Sequence, residues 1–178
     1  MRKLLLILAI AFSCVFISCN SNSGGMSAKA KKNIEVNEAI IKAYEAGEFS
    51  KMGDYITADA VDHGGPTGDV KGLDNIVADM KSYHDQMPDM KSETLKVLAD
   101  DEYVMTWSKT SGTVKTDGNG MKAGQKMSYT GIDVAKFKDG KAVEHWIFMD
   151  PKEMMSMMGD TQGGMAAPVS SDAAKPGN

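Results

Sequence analysis

Apolar residues recur at helical spacing in two stretches of the first half of the chain. Between residues 34 and 46 they follow the helical period, and Gly47 then interrupts the pattern. Between residues 73 and 84 they fall at i, i+3, i+4 and i+7, and Pro88 ends the stretch. Both patterns predict an amphipathic helix. The short segment over residues 49–55 predicts a smaller helix between them.

The later part of the chain consists of longer runs with the β-branched and aromatic content of strands. Four such runs follow the third helix, and a short strand candidate lies before it. The predicted strands are residues 58–63, 90–98, 103–114, 127–137 and 142–149. Helices followed by long antiparallel strands indicate an α+β fold, in which a curved sheet wraps around about three N-terminal helices.

The stretch from Asp133 to Asp150 carries the clearest local signal. Asp139-Gly140 separates two apolar-rich runs, and this dipeptide favours a tight type I′ hairpin, because both central residues need positive φ. The second run places His145 next to Trp146. Strand alternation sends these two side chains to opposite faces, so only one can face the interior unless a bulge intervenes. Both faces carry apolar neighbours, and the sequence leaves the choice open.

The first residues have the pattern of a targeting segment. Two basic residues precede an apolar run over residues 4–12, which has signal-peptide length and is too short to span a bilayer. Phe16-Ile17-Ser18-Cys19 resembles a relaxed bacterial lipobox, which implies cleavage before Cys19 and lipidation of its thiol. Cys14 is the weaker alternative. We therefore expect a lipoprotein signal peptide over residues 1–18.

A flexible tether is expected over residues 19–33, because residues 20–25 are small and polar. Multiple acyl chains on Cys19 would anchor the protein stably in a membrane. The expected location is therefore the bacterial cell envelope, with the protein held by its lipid. The residue after Cys19 is Asn20 rather than Asp, the usual inner-membrane retention signal, which favours the outer membrane.

The C-terminal part divides at Gly159. Pro151 can open a short helix that continues to Met158. From Gly159 onward small and polar residues dominate, so residues 159–178 are expected to be a disordered tail. The methionines of the short helix could bind Cu(I) through their thioethers, but adaptable apolar filling is the simpler interpretation.

Composition narrows the classes of function. The net charge of −4 becomes −6 without the two basic residues of the signal segment, and Arg2 is the sole arginine. An acidic domain without arginine is a poor candidate for binding nucleic acid. Both cysteines, Cys14 and Cys19, lie in the N-terminal segment, so the domain has no disulfide and no thiol nucleophile. The three histidines lack metal-ligand spacing, and no metal or cofactor is predicted.

An ordered set of short motifs runs through residues 34–150. The motifs are Ala43-Tyr44-Glu45-Ala46-Gly47, Ala58-Asp59-Ala60-Val61-Asp62-His63, Gly72-Leu73-Asp74-Asn75-Ile76, Met87-Pro88-Asp89 and Val143-Glu144-His145-Trp146. Together they resemble the SnoaL-like branch of the NTF2-like superfamily, which assigns a domain to residues 34–158. The resemblance implies a cone-shaped fold with an apolar cavity at its open end. Members include polyketide cyclases, ketosteroid isomerases, dehydratases, epoxide hydrolases and ligand-binding proteins, so the fold does not fix the function.

The chemistries known in the family can be tested against single residues. A ketosteroid isomerase would need a tyrosine near Ile40, and its aspartate base would fall near Gly64, although Asp62 is close. The Asp-Arg-Asp arrangement of limonene epoxide hydrolases needs an arginine that the mature chain lacks. Cyclase-like chemistry with an acid–base aspartate survives, with Asp133, His145 or Asp150 as the acid–base group.

Two sets of residues are candidates for a site. His63, Asp133 and His145 are the candidate catalytic groups, since His titrates near neutrality and a buried Asp can act as acid or base. The structural alternatives are a loop-capping role for His63 and an ion pair between Asp133 and Lys109. The candidate ligand-contacting residues are Tyr55, Trp107, Tyr129, Trp146 and Phe148.

Three functions follow from these candidates. The first hypothesis is a membrane-tethered domain that binds a small hydrophobic molecule in an apolar cavity. The second is an enzyme of the cyclase, isomerase or dehydratase kind. The third is a protein-interaction module that forms a homodimer through the outer face of its sheet. The enzyme hypothesis requires a carboxylate or histidine within reach of a second polar group inside the cavity.

Overall fold

The computed structural model describes residues 25–64, 68–118 and 121–157. Its helices are α1 (Ala28–Glu45), α2 (Met52–Tyr55), α3 (Leu73–Gln86) and α4 (Pro151–Met157). Its strands are β1 (Ile56–Asp62), β2 (Val70–Lys71), β3 (Lys91–Ala99), β4 (Tyr103–Thr113), β5 (Lys126–Lys138) and β6 (Lys141–Met149). The strands form one curved, unclosed sheet in the order β2-β1-β6-β5-β4-β3, which confirms the predicted α+β fold. The predicted signal peptide, Cys19 and the C-terminal tail lie outside the described residues.

The first helix starts earlier than its apolar pattern predicts, at Ala28. Ser27 caps it, and its side-chain oxygen accepts a hydrogen bond from the backbone N–H of Ala30 at 2.9 Å. Asn33 is fully buried and donates to the carbonyl oxygen of Asp101 at 3.2 Å. The segment expected to be the end of a tether is therefore helical and packed from Ala28 onward. The first residues of α1 are small or charged, so they show no apolar periodicity.

The long strands lie where the sequence predicts them, and β5 and β6 form the predicted hairpin. Asp139 and Gly140 both have positive φ, 51° and 79°, as a type I′ turn requires. The pairing of β5 with β6 is shifted in register between Lys136 and Phe137. Because of this shift, the side-chain alternation of β6 cannot be counted from the turn alone.

The sheet has an inner face, which packs against α1 and α3, and an outer face on the opposite side. β4 shows the division most clearly. Its inner residues Thr106, Ser108 and Thr110 are buried, whereas Met105 and Trp107 on the outer face are exposed. The buried apolar core between the sheet and the helices includes Val36, Ala43, Met52, Ile56, Ala60, Ile76, Val104, Ala135, Phe137 and Ala142.

β1 departs from the antiparallel pattern of the rest of the sheet. It pairs with β6 in parallel and places Asp62 opposite His145, while its other edge pairs with the two-residue strand β2. The sequence analysis did not predict β2, which is too short to leave a recognisable pattern. The end of β1 therefore has a short partner on one side and β6 on the other.

No helix among the described residues is both long and apolar enough to cross a bilayer. The short helix α4 instead lies beside β5. Glu153 on α4 accepts hydrogen bonds from the backbone N–H and the hydroxyl of Thr130, at 2.8 Å and 3.0 Å. This contact satisfies a backbone donor of β5 beyond the last residue that pairs with β6.

Candidate active site

Three charged side chains meet on the inner face of the sheet: Asp62, Asp133 and His145, here called the acid–base cluster. Nδ1 of His145 lies 3.2 Å from Oδ1 of Asp62, and Nε2 of His145 lies 3.4 Å from Oδ1 of Asp133. Three neighbouring strands supply the three groups, because Asp62 ends β1, His145 lies on β6 and Asp133 lies on β5. The imidazole ring thus bridges two carboxylates.

His145, and not Trp146, is the member of the pair that faces the interior. Ala135 of β5 lies opposite His145 and is buried on the inner face, while Trp146 lies opposite Val134. The parallel pairing of β1 with β6 brings Asp62 to the same face. This answers the question that strand alternation left open, and it depends on contacts between residues far apart in the sequence.

His145 carries a positive charge at neutral pH. Burial among protein atoms lowers the pKa of its ring, but the carboxylates of Asp133 and Asp62 outweigh that effect and raise the pKa to about 9. The side chain still keeps 36% of its surface accessible. The ring is therefore held between protein groups while solvent still reaches it.

Asp62 remains a carboxylate. Burial raises its pKa, but contact with the His145 ring and a hydrogen bond from the backbone N–H of Gly64 lower it to below its usual value. The Gly64 N–H donates to Oδ1 at 2.8 Å, the same oxygen that faces His145. Both aspartates contact the ring through Oδ1. Asp62 is held in addition by the backbone N–H of Gly64.

Hydroxyl groups extend the polar lining of the inner face. Burial raises the pKa of Tyr129, which lies near Asp133 and contacts Thr110. Burial also raises the pKa of Tyr44 far above its usual range, and Tyr129 and Tyr83 reinforce the effect. These phenols stay protonated and can donate hydrogen bonds.

A second polar contact links α1 to the same face. The Asn37 amide donates to the hydroxyl of Thr106 at 3.2 Å, and Thr106 lies opposite Asp133 in the pairing of β4 with β5. The inner face near Asp133 is therefore rich in oxygen and nitrogen atoms. The residue types of this face predict a mostly apolar lining instead.

Three of the expected ligand contacts lie on the outer face instead. Trp107 and Phe148 have 50% and 57% of their surfaces exposed, and Trp146 shares their face. They were placed in a cavity because aromatic residues suit pocket walls, but the pleat of the sheet turns them away from the helices. Tyr129 does lie on the inner face, and Tyr55 packs against the core.

His63 also lies outside the acid–base cluster. Its ring stacks on Trp146, with ring centroids 4.7 Å apart and an interplanar angle of 12°. Nδ1 lies 2.9 Å from Asp69 and Nε2 lies 3.3 Å from Glu144. Of the three candidate catalytic residues, the structure brings together Asp133 and His145 and places His63 on the opposite face.

Asp62, Tyr44 and Tyr83 join the site without having been candidates. Only Asp62 gave a signal in the sequence, because it falls close to the position expected for an aspartate base. Tyr44 and Tyr83 fall within the two helical apolar patterns, over residues 34–46 and 73–84. Their polar ends matter only once α1 and α3 pack over the sheet.

The described residues contain no group of three or more His, Cys, Asp or Glu side chains arranged to hold a metal ion. The two ring nitrogens of His145 point to different carboxylates, so the three residues surround the ring rather than a common point. A separate recess of about 530 Å³ lies between the start of α1 and the turn from β3 to β4. Acidic turn residues line it, and it contains no histidine, so it is not part of this site.

Residues 34–157 match the family of SnoaL-like polyketide cyclases. The chain belongs to this family. A comparison with curated protein sequences finds no match. Membership of the SnoaL-like family establishes the fold. The function has to be inferred from the site residues of this chain.

Solved structures agree with the SnoaL-like fold. A protein from Jannaschia sp. described as a SnoaL-like polyketide cyclase superposes with a TM-score of 0.68 at 16% identity, over 75% of this chain and 96% of that one. A SnoaL-like polyketide cyclase from Agrobacterium tumefaciens gives 0.60 at 15% identity, over 68% and 94%. An LEH-like epoxide hydrolase from M. tuberculosis gives 0.60 at 14% identity, over 74% and 88%. At these identities the likeness concerns the fold.

This SnoaL-like domain lacks the arginine that an Asp-Arg-Asp arrangement would need, yet it does place a cation between two carboxylates. Here the cation is the imidazolium of His145. Unlike arginine, a histidine can give up its proton, so the arrangement has a pH limit that a guanidinium would not have.

Proposed function

We propose that this domain is an acid–base enzyme that removes a proton from a carbon atom next to a carbonyl group of a small molecule. The observation that supports this is the contact of His145 with both Asp62 and Asp133 on the inner face. It supports one part of the requirement set out from the sequence, a titratable group within reach of a second polar group. Cyclisation and isomerisation of carbonyl compounds both begin with such a step.

Asp133 is the proposed base. The carboxylate of Asp133 takes the proton as the C–H bond breaks, and the electron pair of that bond moves to the carbonyl oxygen. The resulting negative charge is stabilised by the imidazolium of His145 and by the protonated phenol of Tyr129. Asp133 then returns the proton to the product, so the enzyme ends in its starting state.

His145 is not the base in this proposal. With a pKa of about 9 its ring already holds a proton at neutral pH. A protonated ring can donate a hydrogen bond or stabilise an oxyanion, but it cannot accept a proton. Asp62 keeps the ring charged and oriented, because Gly64 fixes its carboxylate from the backbone.

The proposed substrate carries oxygen atoms. The hydrophobic ligand expected from the sequence depended largely on Trp107, Trp146 and Phe148, which lie on the outer face. The inner face offers hydroxyl and amide groups from Thr106, Tyr129 and Asn37 instead. A polar ligand group could form hydrogen bonds with this face, which a purely apolar molecule could not do.

The test is hydrogen exchange at carbon in deuterated buffer, with a panel of small ketones and β-dicarbonyl compounds followed by NMR. The intact domain is expected to accelerate exchange of at least one compound, and Asp133→Asn is expected to lower that rate about 1,000-fold. Asp117→Asn, in an exposed loop where Asp117 pairs with Lys122, is the matched control and should keep the rate. Binding of a compound without exchange would instead favour a carrier function. An equal rate for Asp133→Asn would remove Asp133 from the mechanism.

We also propose that Cys19 tethers the domain to a membrane of the bacterial envelope, the outer membrane being the favoured one. The lipobox-like sequence before Cys19 supports this. Metabolic labelling with a fatty-acid analogue should mark the full chain and fail to mark Cys19→Ser, while Cys14→Ser should still be labelled. Labelling that depends on Cys14 would move the anchor to that residue.

A second function, homodimer formation, is favoured by a row of exposed apolar side chains on the outer face. Trp107, Ile132 and Phe148 are register partners on β4, β5 and β6, and each is at least 39% exposed. A two-fold axis along β5 would place Trp107 of one copy over Phe148 of the other. We expect a dimer by light scattering, and a monomer for Phe148→Asp. A monomer at all concentrations of the unaltered chain would exclude this interface.

A further inference from the structure

The outer face carries a stacked pair of side chains, His63 and Trp146, directly behind the acid–base cluster. Asp62 and His63 are consecutive on one strand end, and His145 and Trp146 are consecutive on the neighbouring strand. Asp62 contacts His145 on the inner face, and His63 stacks on Trp146 on the outer face. The backbone N–H of His63 also donates to the carbonyl oxygen of His145 at 2.8 Å. The two side-chain pairs therefore share one backbone junction.

We propose that the stacked pair of His63 and Trp146 is a clamp on the outer face that positions Asp62 against His145. His63 is thus a positioning residue that acts through Asp62 and does not touch the substrate. The inference rests on the proposed function for its consequence in catalysis, but the arrangement itself can be tested without any turnover.

The chemistry of the clamp requires a charged His63. Both of its ring nitrogens face carboxylates, Asp69 and Glu144, and a neutral imidazole has only one N–H to donate. A protonated ring satisfies both contacts and also gains from stacking on the indole of Trp146. The contact with Asp69 raises the pKa of His63, burial opposes this effect, and the contact with Glu144 raises the pKa further.

The surrounding charges agree with this assignment. Glu144 is shared with Lys136, whose Nζ lies 2.8 Å from its Oε1, and both cations lower the pKa of Glu144. Glu144 therefore stays ionised and in place when His63 loses its proton. Asp69 comes from the segment just before β2, so its contact ties the returning chain to the end of β1.

The clamp matters here because few backbone contacts hold the end of β1. Its outer neighbour β2 has two residues, and β1 itself stops at Asp62. Beyond that point the backbone N–H groups of the described chain donate two hydrogen bonds, from His63 to the carbonyl oxygen of His145 and from Gly64 to the carboxylate of Asp62. When His63 is neutral, one ring nitrogen has a lone pair facing a carboxylate, and the end of β1 is free to shift. Asp62 would then hold His145 less well.

The test follows the ring nitrogens of the three histidines by NMR in the full domain, in which His84 is the remaining one. His63→Gln removes the charge of the clamp, and Trp146→Leu removes its stacking surface. Lys71→Gln, on the exposed strand β2, is the matched control, because it removes a positive charge near β1 and leaves the clamp intact. Heteronuclear spectra establish that each variant is folded.

The sign of the change separates the clamp from simple charge proximity. If His63 acted only as a nearby positive charge, its loss would raise the pKa of His145, because like charges repel. If His63 positions Asp62, its loss lowers the pKa of His145, by about one unit. We expect the fall in both His63→Gln and Trp146→Leu, and no fall in Lys71→Gln.

The unaltered chain provides a check that does not depend on a variant. The ring signals of His145 should shift at the pH where His63 titrates, since that step releases the clamp. A rise or no change in the pKa of His145 in His63→Gln, or no response of His145 to the titration of His63, would overturn the inference. These outcomes are independent of catalysis, so failure of the exchange assay would leave the positioning role intact, and the reverse also holds.

Discussion

Two histidines on opposite faces of one strand junction occupy similar surroundings with different consequences. His145 lies between Asp62 and Asp133 on the inner face, and His63 lies between Asp69 and Glu144 on the outer face. The first ring bridges two carboxylates beneath the helices, whereas an indole covers one side of the second ring. Two carboxylates raise the pKa of the histidine in both places. The inner ring faces groups that a substrate could reach, and the outer ring holds the backbone behind them.

The comparison also shows why the pKa shift alone does not identify a catalytic group. Both histidines have a raised pKa, with carboxylates as the cause that overcomes burial. What distinguishes His145 is its place on the polar inner face, where Tyr129 and Thr106 lie near Asp133. Perturbed titration points to candidates, and the position of the group in the fold decides between them.

The largest predicted effect on stability comes from replacing His145, and replacing His63 provides the comparison. His145→Gln leaves Asp62 and Asp133 facing each other without the cation between them. We expect a loss of about 2 kcal/mol in the free energy of unfolding at pH 7, reduced from the cost of a fully buried pair because solvent reaches the ring. His63→Gln should cost much less, because surface ion pairs contribute little. Urea unfolding of both variants makes the comparison. Equal losses would show that the two environments do not differ energetically.

A pH titration of stability should separate the charged state of His145 from its packing. Its pKa is about 9 in the folded protein and 6.5 without neighbours. The raised value means that its contribution to stability is complete below pH 6.5 and is lost as the pH rises through 9. We expect the melting temperature to fall by about 5 °C across this interval.

The control for this titration is the variant without the ring. His145→Gln should show a smaller fall over the same interval, since it has no proton to lose there. Acid has the opposite effect on Asp62: its lowered pKa means that its contribution is complete above pH 3.8 and is lost as the pH falls further. A melting temperature that is constant from pH 6.5 to 9.5 would contradict the charged state assigned to His145.

Gly64 links the two faces, and a single added carbon atom should disturb both. A Cβ at this position would lie 3.0 Å from Cγ2 of Ile147 and 3.1 Å from Oδ1 of Asp62, closer than ordinary contact. Gly64→Ala should therefore cost about 1 kcal/mol of stability and move the ring signals of His145. Gly118→Ala, whose Cβ would meet Nε2 of Gln86 at 3.7 Å, is the control and should do neither. Unchanged ring signals of His145 in Gly64→Ala would show that the side chain of Asp62 can move away from the added methyl group without disturbing the ring.

The elements of the fold could be predicted because their signals are local. The apolar period of residues 73–84 and the Asp139-Gly140 turn act over a few residues, and the structure has both where the sequence predicts them. The start of α1 was missed because a serine cap and small buried residues carry no apolar period. β2 was missed because two residues cannot establish a pattern.

The site could be predicted only in part, because it depends on contacts between distant residues. Asp133 and His145 were named from their residue types, but the side of β6 that faces the helices is set by the register shift near the hairpin and by the parallel pairing with β1. Because Trp146 and Phe148 are aromatic, the outer side of β6 has a residue composition that is typical of a buried face. An apolar outer row is uncommon for a sheet face exposed to water, and a partner would explain it.

Salt offers the smallest expected effect and the sharpest comparison of the two faces. The exposed fractions of the side chains would rank the rings in one order, since His145 is 36% exposed and His63 is 25% exposed. The carboxylate partners rank them in the other order, because Asp69 beside His63 is 45% exposed whereas Asp62 beside His145 is 24% exposed. Ions screen charges that water surrounds, so the second order should hold. Raising NaCl from 0.05 M to 1 M, ~20-fold, should lower the pKa of His63 by a few tenths and change that of His145 less. NMR titrations at the two concentrations decide the matter. A larger change at His145 would mean that ions reach the inner face freely, and the acid–base cluster would then have to work in an environment as polar as the outer surface.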